Sequence, residues 1–124
     1  MLRRANTGFQ DGNYGLPAGH MDGNETAREA CVREMKEEIG IDLLPDNLSL
    51  VHVSHRKGSQ DERFDFFWAA SDYAGEIRNM EPEKCDDLSW HPLGALPENT
   101  IEYIRQAITN IQNKVLYSEY GWKR

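Results

Sequence analysis

Apolar residues recur at helical spacing in two stretches of the chain. Cys31, Met35 and Ile39 lie four residues apart and form one apolar stripe. A second stripe after Pro97 predicts an amphipathic final helix, and it consists of Ile101, Ile104, Ile108, Ile111 and Val115. The pattern therefore predicts one helix in the first third of the chain and one near its end.

The middle of the chain is rich in residues that favour strands. Runs over 48–55 and 63–70 predict two strands, with the hairpin loop Gly58-Ser59-Gln60-Asp61-Glu62 between them. Shorter strands are predicted over 14–16 and 88–91. The aromatic residues of the second run are predicted to lie in the core rather than to form a cofactor platform; they are Phe64, Phe66, Phe67 and Trp68. The aromatic tail over 117–122 is expected to dock on the domain or on a partner.

The first helix has clear start and stop signals. Thr26 with Glu29 three residues later forms a capping box, in which each side chain satisfies an otherwise unpaired backbone N–H. Gly40 can adopt the left-handed conformation that ends a helix, and Ile41 then returns to the core. We therefore expect a helix that begins after Thr26 and ends at Gly40.

Glu34, Glu37 and Glu38 share one face of this helix, away from the apolar stripe. Their like charges repel one another, and the last two also lie in the final turn, where the helix dipole disfavours anions. Three carboxylates on one rigid element would suit Mg²⁺ or Mn²⁺, with substrate phosphate and water as the other ligands. The alternative is a solvated acidic face, but the glycine-bearing loop before the helix and Gly40 after it favour the metal site.

This stretch resembles the Nudix box, G-x5-E-x7-R-E-U-x-E-E-x-G-U, in which U is an aliphatic residue. Every specified position is filled, by Gly19, Glu25, Arg33, Glu34, Met35, Glu37, Glu38, Gly40 and Ile41. The segments RRANTGFQDGNYGLPAGH before the box and EPEKCDDLSWHPLGALP after it fit the same family. The resemblance implies an α+β fold, a Nudix-type α/β/α sandwich around a mixed β-sheet, with the whole chain, 1–124, as a single domain.

The resemblance also implies a reaction, the hydrolysis of a nucleoside diphosphate linked to another group. Water attacks phosphorus while metal ions, Mg²⁺ with Mn²⁺ as a substitute, neutralise the phosphate oxygens. Carried over to this chain, the metal carboxylates are those of Glu34, Glu37 and Glu38, and the backbone carbonyl of Gly19 is a further ligand. Glu34 is also a candidate for the base that orients or deprotonates the water.

Arg33 and Glu25 resemble the ion pair inside the family's box. Such a pair locks the loop against the helix and positions the carboxylates, and an arginine stays charged without competing as an acid. A further acid outside the box commonly approaches the metals in related enzymes. Glu81 and Glu83 are the candidates, and we prefer Glu83, although a solvated loop acid is the ordinary role of either residue.

The substrate is less well defined by the sequence. Arg4 and His20 are the candidate contacts to substrate phosphates. The signatures of ADP-ribose and dinucleoside polyphosphate hydrolases are absent around 56–59, which leaves a MutT-like nucleoside triphosphate pyrophosphohydrolase as the default. A nucleotide sugar or ADP-ribose is the alternative substrate, and a catalytically silent nucleotide sensor is the alternative function.

The start of the chain departs from the resemblance. Family domains usually begin with an apolar strand before a segment such as Leu2-Arg3-Arg4, and this chain begins at that segment. A sheet without its leading strand exposes backbone donors and acceptors. Three explanations stay open: a smaller sheet, a neighbouring chain that pairs there, or a start that lies upstream. The second motivates a possible homodimer.

Composition is consistent with this interpretation. The 124 residues are 39% hydrophobic and 28% charged, enough for one modest core. The net charge of −7 argues against a nucleic-acid polymer as partner but allows a small nucleotide with its metal. No apolar run is long enough to span a membrane, and no signal peptide is evident. Two cysteines make no disulfide framework, so we expect reduced thiols and a cytoplasmic location.

Overall fold

The computed structural model describes residues 1–18 and 21–122, which contain two α-helices and six strands. In chain order they are β1 (Leu2–Arg4), β2 (Tyr14–Gly15), α1 (Ala27–Ile39), β3 (Leu48–Lys57), β4 (Glu62–Ala70), β5 (Cys85–Leu88), α2 (Glu102–Gln112) and β6 (Tyr117–Tyr120). A short 3₁₀ helix, Pro45–Asn47, precedes β3. With 13 and 11 residues, neither described helix could cross a lipid bilayer.

The strands form two three-stranded sheets. One is antiparallel, in the order β2-β1-β5. The other is mixed, in the order β4-β3-β6, because β3 pairs antiparallel with β4 and parallel with β6. This arrangement of mixed and antiparallel sheets between two helices is the predicted α/β/α sandwich.

Each helix has its own hydrophobic cluster. The stripe of α1 packs on a cluster that holds Leu2, Ile39, Ile41, Leu43, Leu48 and Cys85. The cluster under α2 holds Phe67, Ile101, Ile104, Ala107 and Ile108. Phe67 and its neighbour Trp68 point to opposite faces of β4 and belong to different clusters, so the helices cover opposite faces of the mixed sheet.

The predicted ends of α1 are confirmed. Thr26 accepts a hydrogen bond from the backbone N–H of Glu29, and the Glu29 side chain accepts one from the backbone of Thr26. Gly40 adopts the left-handed conformation, with φ of 75°. A Cβ at Gly40 would also lie 3.2 Å from the sulfur of Met80, so glycine suits both the turn and the packing.

The β3–β4 hairpin is confirmed, but the prediction that all four aromatic residues of β4 lie in the core is wrong. Phe67 is buried, whereas Phe64 is 56% exposed and Phe66 is 40% exposed. The physical reason is the alternation of the strand. Phe64 and Phe66 lie on the face of Trp68, and α1 covers that face only near Trp68.

The strand predicted over 88–91 is also wrong, because the strand there is β5 and ends at Leu88. Leu88 pairs with Leu2, the first residue of β1, so no β1 residue remains for the following positions to pair with. The backbone N–H of Ser89 still donates to the carbonyl oxygen of Met1. The short strand predicted over 14–16 is found one residue shorter, as β2.

The tail forms a strand, β6, along an edge of β3. Its register pairs Val53 with Tyr117 and Arg56 with Tyr120. The fully buried His52 fixes this contact, because its ring nitrogens lie 2.7 Å from the carbonyl oxygen of Val115 and 2.7 Å from the hydroxyl of Ser118. The chain thus covers this edge with its own residues, and the tail docks on the domain as expected.

Candidate active site

Helix α1 presents the three box carboxylates at i, i+3 and i+4, but their environments differ. The Glu34 side chain is 13% exposed and that of Glu37 is 57% exposed. Glu38 is partly buried, and one of its carboxylate oxygens is fully buried. Glu37 is therefore the outer carboxylate of the acidic face, and Glu34 and Glu38 are the two inner carboxylates.

Arg33 is the centre of an ion-pair network that ties the preceding loop to α1. Its guanidinium lies 2.8 Å from Glu25, 2.9 Å from Glu34, 3.3 Å from Glu37 and 3.5 Å from Asp22. The hydrogen bond from Arg33, together with one from the backbone N–H of Asp22, holds the pKa of Glu25 below its ordinary value. The same hydrogen bond to Glu25 raises the pKa of Arg33, so the pair stays charged. The predicted contact between Arg33 and Glu25 is therefore present.

Glu38 is the most strongly perturbed of the box carboxylates. Burial, followed by the negative charges of Glu34 and Glu81, raises its pKa to about 8. The backbone N–H of Ala18 donates to the carboxylate and only partly offsets these effects. One buried oxygen of Glu38 has no hydrogen-bond partner among residues 1–18 and 21–122. A buried carboxylate oxygen without a partner lowers the stability of the folded state unless a hydrogen-bond donor or a cation reaches it.

Burial also raises the pKa of Glu34, even though Arg33 lies against it and acts in the opposite direction. A carboxyl group whose pKa is moved towards neutrality is suited to exchange a proton with water. In the absence of metal, the inner carboxylates Glu34 and Glu38 therefore both have a greater tendency to be protonated than an ordinary glutamate. A bound cation would reverse that tendency.

The donor set fits a divalent metal ion at the inner carboxylates. These are hard oxygen ligands, their negative charges repel each other, and one oxygen of Glu38 lacks a partner among the described residues. Within residues 1–18 and 21–122, no group of three or more His, Cys, Asp or Glu side chains is gathered as a metal site. Arg33 instead holds an oxygen of both Glu34 and Glu37. The predicted ligand set of Glu34, Glu37 and Glu38 therefore stays a prediction.

The acid outside the box that acts on this site is Glu81. Its charge contributes to the raised pKa of Glu38. Glu83, which we preferred from the sequence, is exposed, and the contact described for it is the hydrogen bond that its backbone carbonyl accepts from Asn6. Glu83 as a metal ligand stays a prediction, while the electrostatics of the described residues favour Glu81.

The predicted substrate contacts are only partly described. Gly19 and His20 lie outside the described residues. Arg4 donates from Nε to the carbonyl oxygen of Phe9 at 2.7 Å and from a terminal nitrogen to the hydroxyl of Thr7 at 3.1 Å. It therefore helps to order the loop after β1, and its contact to a phosphate stays a prediction.

The sequence interpretation missed Asp22, which joins the Arg33 network and whose backbone N–H donates to Glu25. Its position three residues before Glu25, in a turn that leads to a helix, was the available signal. The proximity of Glu81 to Glu38 had no such local signal, since 43 residues separate them along the chain. Only the tertiary fold brings these two acids together.

Comparison with known proteins finds one protein family that matches most of this chain. The family profile described as NUDIX domain matches residues 1–110. Two curated relatives, both named 8-oxo-dGDP phosphatase NUDT18, are 34% identical over 88 residues in Homo sapiens and 36% identical over 88 residues in Mus musculus. Each match covers 69% of this chain and 26% of the relative.

The fold is similar to that of a solved structure described as a MutT NUDIX hydrolase from Burkholderia pseudomallei. The TM-score is 0.78 and the sequences are 28% identical, with 87% of this chain and 83% of the other chain covered. The chain therefore spans only about a quarter of the length of the curated relatives it matches.

Proposed function

This chain belongs to the Nudix family, and from that premise we propose that it hydrolyses a nucleoside diphosphate linked to another group, with Mg²⁺ as cofactor. The reaction we assign is that of a MutT-like nucleoside triphosphate pyrophosphohydrolase, in which water attack releases a nucleoside monophosphate and pyrophosphate. The observation that carries the proposal is the buried oxygen of Glu38 beside Glu34 and Glu81, which has no hydrogen-bond partner in the part of the chain that the structure describes. A divalent cation bound at this place would supply the missing partner of that oxygen.

Each box residue has a distinct role in this proposal. Glu34 and Glu38 would hold the metal from the inner side of α1, and Glu37 would join them from the exposed side. When bound, the ion neutralises phosphate oxygens and lowers the pKa of a bound water. Glu34 is the candidate that orients the attacking water and accepts its proton, because its carboxylate lies on the inner side of α1 and is only 13% exposed.

Arg33 and Glu25 position these groups without touching the reacting atoms. Arg33 contacts both Glu34 and Glu37, and Glu25 fixes Arg33 from the loop. Removing residues that orient metal ligands typically lowers metal affinity or activity by roughly 10- to 100-fold. The ion-pair network therefore accounts for the presence of an arginine amid the carboxylates.

The relatives suggest a second candidate substrate, a nucleoside diphosphate. The curated relatives named above are called 8-oxo-dGDP phosphatases, and a diphosphate contains the same anhydride bond. Cleavage would then yield a monophosphate and inorganic phosphate. ADP-ribose and nucleotide sugars are the further alternatives, and all of them share a nucleoside diphosphate moiety.

A Mg²⁺-dependent assay over a panel of nucleotides tests the proposal. The panel contains nucleoside triphosphates and diphosphates with ordinary and 8-oxo guanine, ADP-ribose and a nucleotide sugar. We expect turnover that requires the metal and disappears in Glu38→Gln, with Glu76→Gln, at an exposed position with no role in the site, as the control for loss of one carboxylate charge. Tight binding without any product would instead establish the silent sensor.

Two further predictions concern the oligomeric state and the cellular location of the protein. A homodimer stays a prediction, although β6 now covers the edge of β3. Light scattering at micromolar concentration would show twice the chain mass for a dimer and the chain mass of 14.3 kDa for a monomer. The cytoplasmic location likewise stays a prediction.

A further inference from the structure

The mixed sheet has an apolar surface on the part of its face that α1 leaves uncovered. This surface surrounds a depression of about 470 Å³ and is called the open face; its residues are Leu50, Val53, Phe64, Phe66, Leu116 and Tyr117. They come from β3, β4 and the start of the C-terminal strand. We propose that the open face binds the same face of a second copy of the chain, in a symmetric homodimer whose strands run in opposite directions across the interface.

The size of the open face fits an interface. Its five largest exposed side chains are 38% to 60% exposed, namely Leu50, Phe64, Phe66, Leu116 and Tyr117. At roughly 150–250 Å² for a large side chain, they expose apolar surface on the order of 500 Å². An apolar patch of this size marks an interaction site more often than a bare protein surface. It supplies more than half of the roughly 800 Å² that each partner buries in a standard interface.

The centre of the open face has no charge that would hold two copies apart. Chains with a net charge of −7 repel one another, but the six residues around the depression are all uncharged. Two sheets can therefore pack face to face at about 10 Å, with their aromatic and aliphatic side chains interdigitated as in a β-sandwich.

Opposite charges lie at the two ends of the open face, at equal distances from its centre. The centre lies on β4 between Phe64 and Phe66. Glu62 lies about 10 Å from this point in one direction along the strand, and Trp68 lies about 10 Å from it in the other. The guanidinium carbon of Arg28 lies 5.0 Å from the centroid of the Trp68 ring. One end therefore carries a cation and the other a carboxylate.

The charged groups at both ends can reach a second copy. Arg28 is exposed, and it donates to two backbone carbonyl oxygens, which are neutral. The Glu62 side chain is 56% exposed and lies 3.5 Å from Nε2 of His55. Lys57 pairs with Glu62 across the hairpin, but Glu119 on β6 adds a second carboxylate at this end. The end that holds Glu62 therefore keeps a negative charge.

These charges select one of the two symmetric arrangements of the sheets. A two-fold axis along the strands would place Arg28 against Arg28 and Glu62 against Glu62. An axis across the strands, at the centre of the open face, places Glu62 of each copy over Arg28 of the other. A symmetric interface uses the same patch on both subunits and must match itself in this way. The self-complementary pattern thus identifies a second copy as the occupant.

Sedimentation velocity over a concentration series tests the proposal. We expect the wild type to dimerise in the micromolar range, since its interface is at the small end of the standard size. Phe64→Glu places a charge at the apolar centre and should weaken the dimer at least about tenfold. Leu93→Glu is the matched control, because Leu93 is 51% exposed between β5 and α2 and lies outside the open face. If Phe64→Glu does not fold, Leu116→Glu should have the same effect.

Charge reversal tests the arrangement of the two copies. Arg28→Glu and Glu62→Arg each turn both end contacts into like-charge pairs, so each variant alone should self-associate at least about tenfold more weakly. In an equimolar mixture, the new glutamate of one variant faces the new arginine of the other, and the two unchanged residues face each other. The mixture should therefore dimerise as the wild type does.

The results that would overturn the proposal are distinct. A wild type that stays monomeric at submillimolar concentration would overturn it, and so would a dimer that both Phe64→Glu and Leu116→Glu leave intact. A mixture of the two charge variants that stays monomeric would overturn the reversed arrangement. None of these measurements depends on turnover, so their outcome is independent of the proposed reaction.

Discussion

Glu38→Gln should stabilise the metal-free protein while it abolishes activity. The pKa of Glu38 is about 8 in the folded chain, against an ordinary value of 4.5. Between these values the folded state holds a proton that the unfolded state has released. Stability therefore falls as pH rises through this window, by up to about 1.4 kcal/mol per pH unit for a single group, and levels off above the folded pKa.

The size of the effect follows from the same shift. Because the side chain is only partly buried and its surroundings can relax, we expect a net gain on the order of 2 kcal/mol for Glu38→Gln at pH 8. At pH 5, where Glu38 is protonated in the folded wild type, the two proteins should differ little. The gain has a physical cause: the amide carries no charge to desolvate and does not repel Glu34 or Glu81.

Urea unfolding in the presence of EDTA, followed at several values between pH 5 and pH 9, measures this effect. Glu37→Gln is the control, since it removes the same charge from an exposed position on the same helix and should change stability by less than about 0.5 kcal/mol. In the wild type, added Mn²⁺ should remove most of the pH dependence, because an ion bound to the folded state stabilises it by mass action. Equal stability of Glu38→Gln and wild type at pH 8 would refute the reasoning.

Three further predictions concern the surroundings of the site. Glu81→Gln should weaken Mn²⁺ binding, measured by calorimetry, by roughly 10-fold, whereas Glu83→Gln should leave it unchanged; the reverse order would restore Glu83 as the ligand. Thr26→Ala removes the N-cap of α1 and should lower the free energy of unfolding by about 1 kcal/mol in urea titrations, with an unchanged value contradicting the capping role. Gly121→Ala places a Cβ against the backbone carbonyl of Lys57, so hydrogen exchange at β6 should accelerate at least about tenfold; unchanged protection would argue against this close approach.

Local signals predicted the elements of the fold well. The limits of α1 follow from the capping box at Thr26 and the left-handed Gly40, both of which act within a few residues of the helix ends. The hairpin of β3 and β4 needs only two strand-forming runs and a short polar loop. These features depend on neighbouring residues, which the sequence shows directly.

Features that depend on distant partners were harder to predict. The polar, aromatic residues of β6 carry no clear strand pattern, and their strand arises from parallel pairing with β3 and from the contact of His52 with Ser118. The exposure of Phe64 is decided by how far α1 extends over the sheet, which the sequence of β4 does not contain.

The same distinction applies to the site, where contacts between residues close in the sequence could be predicted and contacts from distant segments could not. The contact between Arg33 and Glu25 follows from box residues eight positions apart. The contribution of Glu81 to Glu38 depends on how the segment before β5 returns to α1, as shown by the hydrogen bond from the N–H of Met80 to the carbonyl oxygen of Glu38. Sequence proximity could therefore identify the helix that carries the candidate ligands but not the acid that approaches it.

A crystal of this protein soaked in Mn²⁺ and measured for anomalous scattering would locate the metal directly. We predict a peak at about 2.1 Å from carboxylate oxygens of both Glu34 and Glu38, which is the distance expected for a small hard cation. A map with no peak at these side chains, at a Mn²⁺ concentration that supports turnover, would contradict the assignment of α1 as the metal-binding element.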